Sequence, residues 1–305
     1  MTHIIAVGGF VADLTLDVPT WPQPNRGTHT DKVIFAPGGK AVNQAVAAQR
    51  LGAQTAIVGC AGNDRLGDTL IATLNDEDVH TSYIKRHPSA ETGIISMIVH
   101  QGTPSFIGAP RASKLLTPAD VEAAADAITS ETIIITNFEI AQEVVKTTLR
   151  LAKSKGARTI LNPAPLHHPL DTVDYWQDVD YLIPNLLEAQ ILLNIDSINA
   201  AQLIDRLLEF GLGAVCITAG NDGSFFKRAN SSDEVLHLPA FKANIIDTSG
   251  ASDAFIGAFA FALAQGWPDA HTLRFASAAA AKACETYGAL QSMPKKTDVL
   301  NLLQA

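Results

Sequence analysis

Short apolar runs that stop at turn-forming residues alternate with helical-period segments along most of this chain, and that rhythm constrains the fold more than any other feature. "IIAVGG" (4–9), "TAIVGCAG" (55–62), "TIIITN" (132–137), "RTILNPAP" (158–165), "YLIPN" (181–185) and "AVCITAG" (214–220) read as strands buried on both faces. Each ends in Gly, Asn, Pro or Thr. Between them lie amphipathic stretches, "TPADVEAAADAI" (117–128), "AQEVVKTTLRLAKSKG" (141–156) and "AAQLIDRLLEFG" (200–211). Thr117 before Pro118 is an N-cap with proline at the first helical position, and Gly156 and Gly211 are helix stops. Repeated strand–helix alternation with fully apolar strands predicts an α/β fold, a mostly parallel central sheet with helices on both faces.

Two stretches break the rhythm. Residues 13–39 and 92–110 alternate apolar and polar residues at period two, with Gly and Pro between, and predict antiparallel hairpins. They are read as one small β sheet, a discontinuous lid over about 13–37 and 92–110, placed at the ligand end of a single domain covering residues 1–305. No internal repeat, low-complexity tract or linker divides the chain.

The net charge of −9 is spread rather than run together, which argues against a nucleic-acid or anionic-membrane partner. Cys60, Cys216 and Cys284 are odd in number and far apart, with no zinc spacing, and read as buried thiols in a reducing compartment. "MTHIIAVGGF" has neither the basic region nor the cleavage site of a signal peptide, and no apolar run reaches membrane-spanning length. The expectation is a soluble, cytoplasmic protein.

Open parallel sheets bind ligands beyond the carboxyl ends of their strands. The polar residues at those ends are therefore the candidates: Asn137, Glu139, Asn162, Asn185, Glu188, the loop 218–223 and the segment 247–253. "APGGKAVNQAVAAQRLG" (36–52) is a Gly-Gly turn running into a helix, with Lys40 and Asn43 on one face of the first turn. A lysine there opposes the helix dipole, which suggests that it serves a ligand. In "PNLLEA" (184–189) the spacing of Asn185 and Glu188 is also that of a capping box, the commoner use of such a glutamate. "TAGNDG" (218–223) supplies glycines that let backbone N–H groups approach a phosphate or a base, although tight turns use the same residues. Neither a Walker motif nor a G-x-G-x-x-G helix start occurs. His167 and His168 point apart in a loop and read as solvated. In "DTSGASDAFIGAF" (247–259), Asp253 stands at a helix start whose free N–H groups favour an anion. The work that fits a carboxylate beside a bound phosphate is that of general base for an attacking hydroxyl.

As an ordered set, "GGKAVNQAVAAQRLGA", "NPAP", "PNLLEA", "TAGNDG", "DTSGASDAFIGAF" and "YGALQSMP" make the chain resemble the ribokinase-like, PfkB-type carbohydrate kinases over essentially its whole length, and within them the ribokinase branch. The resemblance implies a ribokinase-like fold and transfer of a phosphoryl group from ATP, with Mg2+, to a sugar hydroxyl. Asp253 would be the base, with Gly250, Ala251 and Ser252 forming the anion hole. Asp13, Gly39, Lys40, Asn43 and Glu139 would bind the sugar. Asn185 and Glu188 would organise phosphate and, through water, Mg2+. Thr218, Ala219, Gly220, Asn221, Asp222 and Gly223 would hold the nucleotide, with Ser277 near the adenine. Asp247, Ser249, Ala283, Thr286, Gly288 and Ser292 match positions that hold a monovalent cation, K+ in the family. A homodimer is expected. Two positions depart from the family pattern: Ser252 stands where a glycine is usual, and Val11 where the ribokinase branch has an asparagine. Two alternatives stay open, a nucleoside kinase using Phe10, Phe35 or Phe106 for stacking, and a non-catalytic binding descendant.

Overall fold

Strands that are apolar on both faces have none to give to water, so they pair side by side and take a layer of helices on each face. The computed structural model describes residues 3–101, 103–170, 173–195 and 199–304. The amino-terminal part contains β1 (His3–Val7), β2 (Val11–Asp17), β3 (Val33–Gly38), α1 (Lys40–Arg50), β4 (Gln54–Gly62), α2 (Arg65–Asp76), β5 (Ile84–His87), β6 (Gly93–His100) and β7 (Thr103–Ala109). The middle contains α3 (Pro118–Glu122), β8 (Ile133–Asn137), α4 (Gln142–Ser154), β9 (Arg158–Asn162), β10 (Tyr181–Leu182), α5 (Leu186–Leu193), α6 (Ala200–Leu208) and β11 (Ala214–Thr218). It is followed by β12 (Ser224–Arg228), β13 (Leu236–Leu238), α7 (Ala251–Ala264), α8 (Asp269–Ala283) and α9 (Lys296–Gln304).

The main sheet has the order β13-β12-β11-β10-β9-β8-β1-β4-β5. Its seven strands from β11 to β5 are parallel, and β12 and β13 add an antiparallel edge. Alternation along the strands sorts the core. Ile4, Ala6, Ile133 and Ile135 pack with Phe255, Phe259 and Phe261 of α7, whereas Ile5, Val7, Ile134 and Leu161 pack with Leu149 of α4 and Leu203 and Leu207 of α6. The order reverses at β1, which lies between β4 and β8, so a crevice opens beyond its carboxyl end.

The second sheet has the order β3-β2-β6-β7. Each of the two period-two stretches forms an antiparallel pair, and a parallel β2–β6 register from Val11–Gly93 to Asp17–Val99 joins them. β2 leaves β1 through Gly8, Gly9 and Phe10, and β3 runs at Gly38 into α1, so this sheet is rooted at the mouth of the crevice.

Three expectations are corrected in detail. The stretch 117–128 is not one helix: α3 ends at Glu122, and i→i+3 bonds from Ala127 to Ala124 and from Ile128 to Ala125 carry the rest. Only Val121, Ala124 and Ile128 of it are buried, too thin a stripe to hold three turns against the sheet. Phe10 is fully buried in the core and presents no stacking face. Cys284 is half-buried, unlike Cys60 and Cys216. Among the described residues no helix is long and apolar enough to cross a membrane.

Candidate active site

The crevice is walled by two helix starts that face each other. α1 is rich in small residues, with Ala41 to Ala48 all buried, and α7 is buried from Asp253 to Leu263. Their contact is close: a Cβ on Gly257 would lie 2.5 Å from Ala47 Cβ and 2.6 Å from the Gln44 carbonyl oxygen. That approach brings Asp253, one turn before Gly257, onto the first turn of α1. Asp253 Oδ2 accepts a hydrogen bond from Asn43 Nδ2 at 3.0 Å, and Oδ1 accepts one from Gln44 Nε2 at 2.9 Å.

Glu139, beyond β8, closes the other side. Its Oε2 accepts the backbone N–H of Lys40 at 2.8 Å and so caps α1, offsetting the unfavourable lysine at that helix end. Gly39 precedes it with φ of 99°, and a side chain there would meet the Gly9 carbonyl oxygen at 2.4 Å. Gly38 leaves space that a Cβ would fill against the Asp13 carboxyl group, 2.1 Å away. Glycines thus make the cradle in which Asp13, Lys40 and Glu139 converge.

The electrostatics follow from this crowding. Burial foremost, then Glu139 and Asp253, raise Asp13 to about 7. Burial also raises Glu139 to about 7, against the opposing pull of Lys40. Asp253 is raised by burial, with Lys40, Asn43 and Gln44 working the other way. For Lys40 burial is the largest influence and favours loss of the proton, yet Asp253, Glu139 and Glu188 together hold the ammonium above its usual value. Three carboxyl groups share one ammonium and Asp13 crowds two of them, an arrangement with a high affinity for protons and for cationic or hydroxyl donors.

Asn185 and Glu188 form the capping box of α5: the Glu188 N–H donates to Asn185 Oδ1 and the Asn185 N–H to Glu188 Oε2, each at 2.8 Å. Glu188 is buried, and its carboxyl group is raised, by burial first and by Asp253 in addition. A parallel bridge joins Asn185 to Thr218, where the 218–223 loop begins. In that loop Ala219 donates to the Gly223 carbonyl at 2.8 Å, around a single helical turn over Gly220–Asp222 that includes Asn221. Ser277, on α8, lies with its hydroxyl 3.3 Å from that of Ser224, directly after the loop.

The six residues expected to hold a monovalent cation also gather. Asp247 Oδ1 accepts from the Ser249 N–H and hydroxyl, and Oδ2 accepts from the Gly288 N–H. Ser292 donates to the Gly288 carbonyl, and Thr286 to that of Ala283. Ser292 Oγ stands 2.3 Å from where a Gly250 Cβ would be, which sets this loop directly beneath the start of α7. Ala251 and Ser252 occupy the first turn of α7, and Ser252 is not among the residues with positive φ. Arg111, directly after the lid strand β7, is paired with Glu91 at 2.6 Å.

Sequence reasoning missed Gln44. It lies fully buried in α1, and its amide reaches both Asp253 and, at 3.4 Å, Asn162 Oδ1. The only signal was its position beside Asn43.

Comparison with known proteins bears on this arrangement. The profile described as pfkB family carbohydrate kinase matches residues 1–296. A ribokinase of Schizosaccharomyces pombe is 32% identical over 315 residues, covering 98% of this chain and 97% of its own. A deoxyribokinase of Salmonella typhi is 31% identical over 265 residues, covering 84% of each chain. The structure of Arabidopsis thaliana ribokinase complexed with ribose and ATP superposes with a TM-score of 0.88 at 25% identity, covering 100% of this chain and 99% of that one.

Proposed function

The chain belongs to the pfkB family of carbohydrate kinases, and from that premise we propose that it transfers the γ-phosphoryl group of ATP to a hydroxyl of a small sugar, ribose or a close relative. The observation that carries this reading is Asp253, a buried carboxyl group held at a helix start by two amides and facing the cradle of Asp13, Lys40 and Glu139. The sugar hydroxyl gives its proton to Asp253 as its oxygen bonds to the γ-phosphorus. The bond from that phosphorus to the bridging oxygen breaks, and its electron pair leaves with ADP. Burial raises the proton affinity of Asp253, which suits it to receive that proton. The N–H groups of Gly250, Ala251 and Ser252 stabilise the charge on the transferring group, that of Ala251 turning to it from the Thr248 carbonyl oxygen, to which it donates at 3.2 Å.

Asp13, Gly39, Lys40, Asn43 and Glu139 bind the sugar in this reading, and the four-stranded sheet closes over it as a lid of one domain, excluding water. Val11 shares a face of β2 with Asp13, and an apolar group there favours a 2-deoxy sugar as the second reading. The 218–223 loop and Ser277 take the nucleotide. Magnesium fits Glu188 and Asn185, a buried carboxyl group and an amide oxygen at one helix start, oxygen donors suited to an ion that keeps phosphates and water as its other ligands. Bound there, Mg2+ supplies charge neutralisation to the phosphates. Potassium in the 247–292 loops, residence in the cytoplasm and a homodimer complete the reading. The dimer is supported by Val33, Phe35, Phe106 and Ile107, exposed on the lid strands.

ADP release from MgATP, measured with D-ribose, 2-deoxy-D-ribose, other pentoses and hexoses, and nucleosides, tests the assignment. Turnover with ribose or deoxyribose is expected; turnover with nucleosides alone, or with no acceptor, overturns it.

A further inference from the structure

Asp253 is held by more than the residue the family pattern pointed to. Its two oxygens are taken by two consecutive residues of α1, Asn43 on Oδ2 and Gln44 on Oδ1. Rotation about the terminal bond of an aspartate is soft, so one hydrogen bond leaves the carboxylate plane free to swing, and one on each oxygen fixes it. Gln44 is itself fixed from behind. Asn162, at the carboxyl end of β9, donates Nδ2 to the Ile183 carbonyl at 3.0 Å, and this sets which way its amide faces. Its Oδ1 is thereby turned to Gln44 Nε2, and the same Nε2 reaches Asp253. A flipped Gln44 amide would oppose its oxygen to two acceptors, so one orientation is enforced.

The burial of Gln44 points the same way. Neither Gln44 nor Asn162 has any exposed surface. Gln44 Oε1 has no partner, and leaving a buried acceptor unmet is a cost that a purely structural position would shed by carrying an apolar residue. Asn43 Oδ1 is likewise buried and unpartnered.

We propose that Gln44, braced by Asn162, is a positioning residue for the catalytic base, fixing the plane of the Asp253 carboxylate and favouring its ionised form. The proposal rests on the reading of Asp253 as base. Its effect on proton affinity must be separated from the other groups facing Asp253, namely Lys40 from α1, Glu139 beyond β8, Glu188 from α5 and Asp13 from β2. None of these is altered by a change confined to an amide.

The test is the pH dependence of kcat at saturating sugar, free of the change in KM carried by Asp13 and Glu139, for Gln44→Met, which keeps length and loses the donor, measured as ADP release from MgATP with D-ribose and 2-deoxy-D-ribose. A base must be deprotonated to act, so activity falls as pH drops through its pKa. Losing a donor to the charged carboxylate raises that pKa and moves the acidic limb to higher pH, by roughly one pH unit. Plateau kcat is expected to fall by about tenfold or more, with KM for ATP little changed. Asn162→Ala removes the brace together with the donor to the Ile183 carbonyl, leaves both amides on Asp253 in place and gives a smaller shift of the same sign; it carries the test if Gln44→Met does not fold. Asp253→Asn is run beside them. An inactive Asp253→Asn with an unmoved limb in the folded Gln44 or Asn162 variant overturns the positioning role, whereas a fully active Asp253→Asn overturns the base assignment instead.

Discussion

Gly257→Ala tests how the two helix starts are held in register. The added methyl group would lie 2.5 Å from Ala47 Cβ, 2.6 Å from the Gln44 carbonyl oxygen and 3.0 Å from the Ala48 nitrogen. Two of these are backbone atoms and the third is a side chain with no rotamer to change, so α1 and α7 must part. Carbon atoms settle at ~3.5–4.0 Å, which asks for about 1 Å of separation. Asp253 sits one turn before Gly257, so the bonds of 3.0 and 2.9 Å to Asn43 and Gln44 would lengthen to roughly 4 Å, beyond hydrogen-bonding range. A misplacement of ~1 Å at a reacting group costs about 10²-fold in rate. Overpacking of this kind costs ~1–3 kcal/mol, a fall in Tm of ~2–10 °C for a chain of this size. Steady-state kcat and a thermal melt measure both. Ala47→Gly in the same chain removes one of the three clashes and should restore part of each. A folded Gly257→Ala protein with wild-type kcat would refute the reasoning, because the helices would then part without carrying Asp253 away from its amides.

Asp253→Asn should lower kcat by roughly 10²–10⁴-fold with the Tm kept, the range for losing a positioned general base; ADP release in the mutant near the wild-type rate would contradict it. Ser252→Gly should change kcat by less than about tenfold, under ~1.4 kcal/mol of barrier, because Ser252 lies in an ordinary helical turn and carries no strain for glycine to relieve; a hundredfold gain would show the natural site to be impaired. Asp13 and Glu139, both raised to about 7 from 3.8 and 4.5, retain protons in the folded chain that the unfolded chain releases. Their contribution to stability is therefore full below about pH 4 and lost as pH rises through about 7. The Tm of the ligand-free protein should decline across that window and decline less in Asp13→Asn, while KM for the sugar rises as pH falls below about 7 and the carboxylates that accept its hydroxyls are neutralised.

The parts of the molecule most legible in the sequence were those fixed by local pattern. Continuous apolar runs gave β1, β4, β8, β9 and β11 to within a few residues. Asn185–Glu188 was readable as a capping box, and Asp253 as a carboxyl group at a helix start, because both depend on spacing alone. Pairing between distant segments was not. Period-two alternation predicts hairpins but says nothing of the parallel β2–β6 seam that joins them. Gln44 carries no local signal, since nothing nearby in sequence announces that α7, more than 200 residues later, will cover it. The helix expected over 117–128 failed for a related reason: alanine favours a helix locally, and only packing decides whether three turns are held.

The bond between Asn43 and Asp253 joins positions 210 residues apart. At a synthesis rate of ~5–20 residues per second, the first turn of α1 is made roughly 10–40 s before the carboxyl group it faces. During that interval the nascent chain carries Lys40 and Asn43 without the carboxyl group of Asp253. The first turn of α1 meanwhile lacks the buried partner that occupies its amides, and Gly257 has yet to supply the close contact that holds the helix. In this fold the carboxyl group proposed as base meets its two amides late, with the docking of α7.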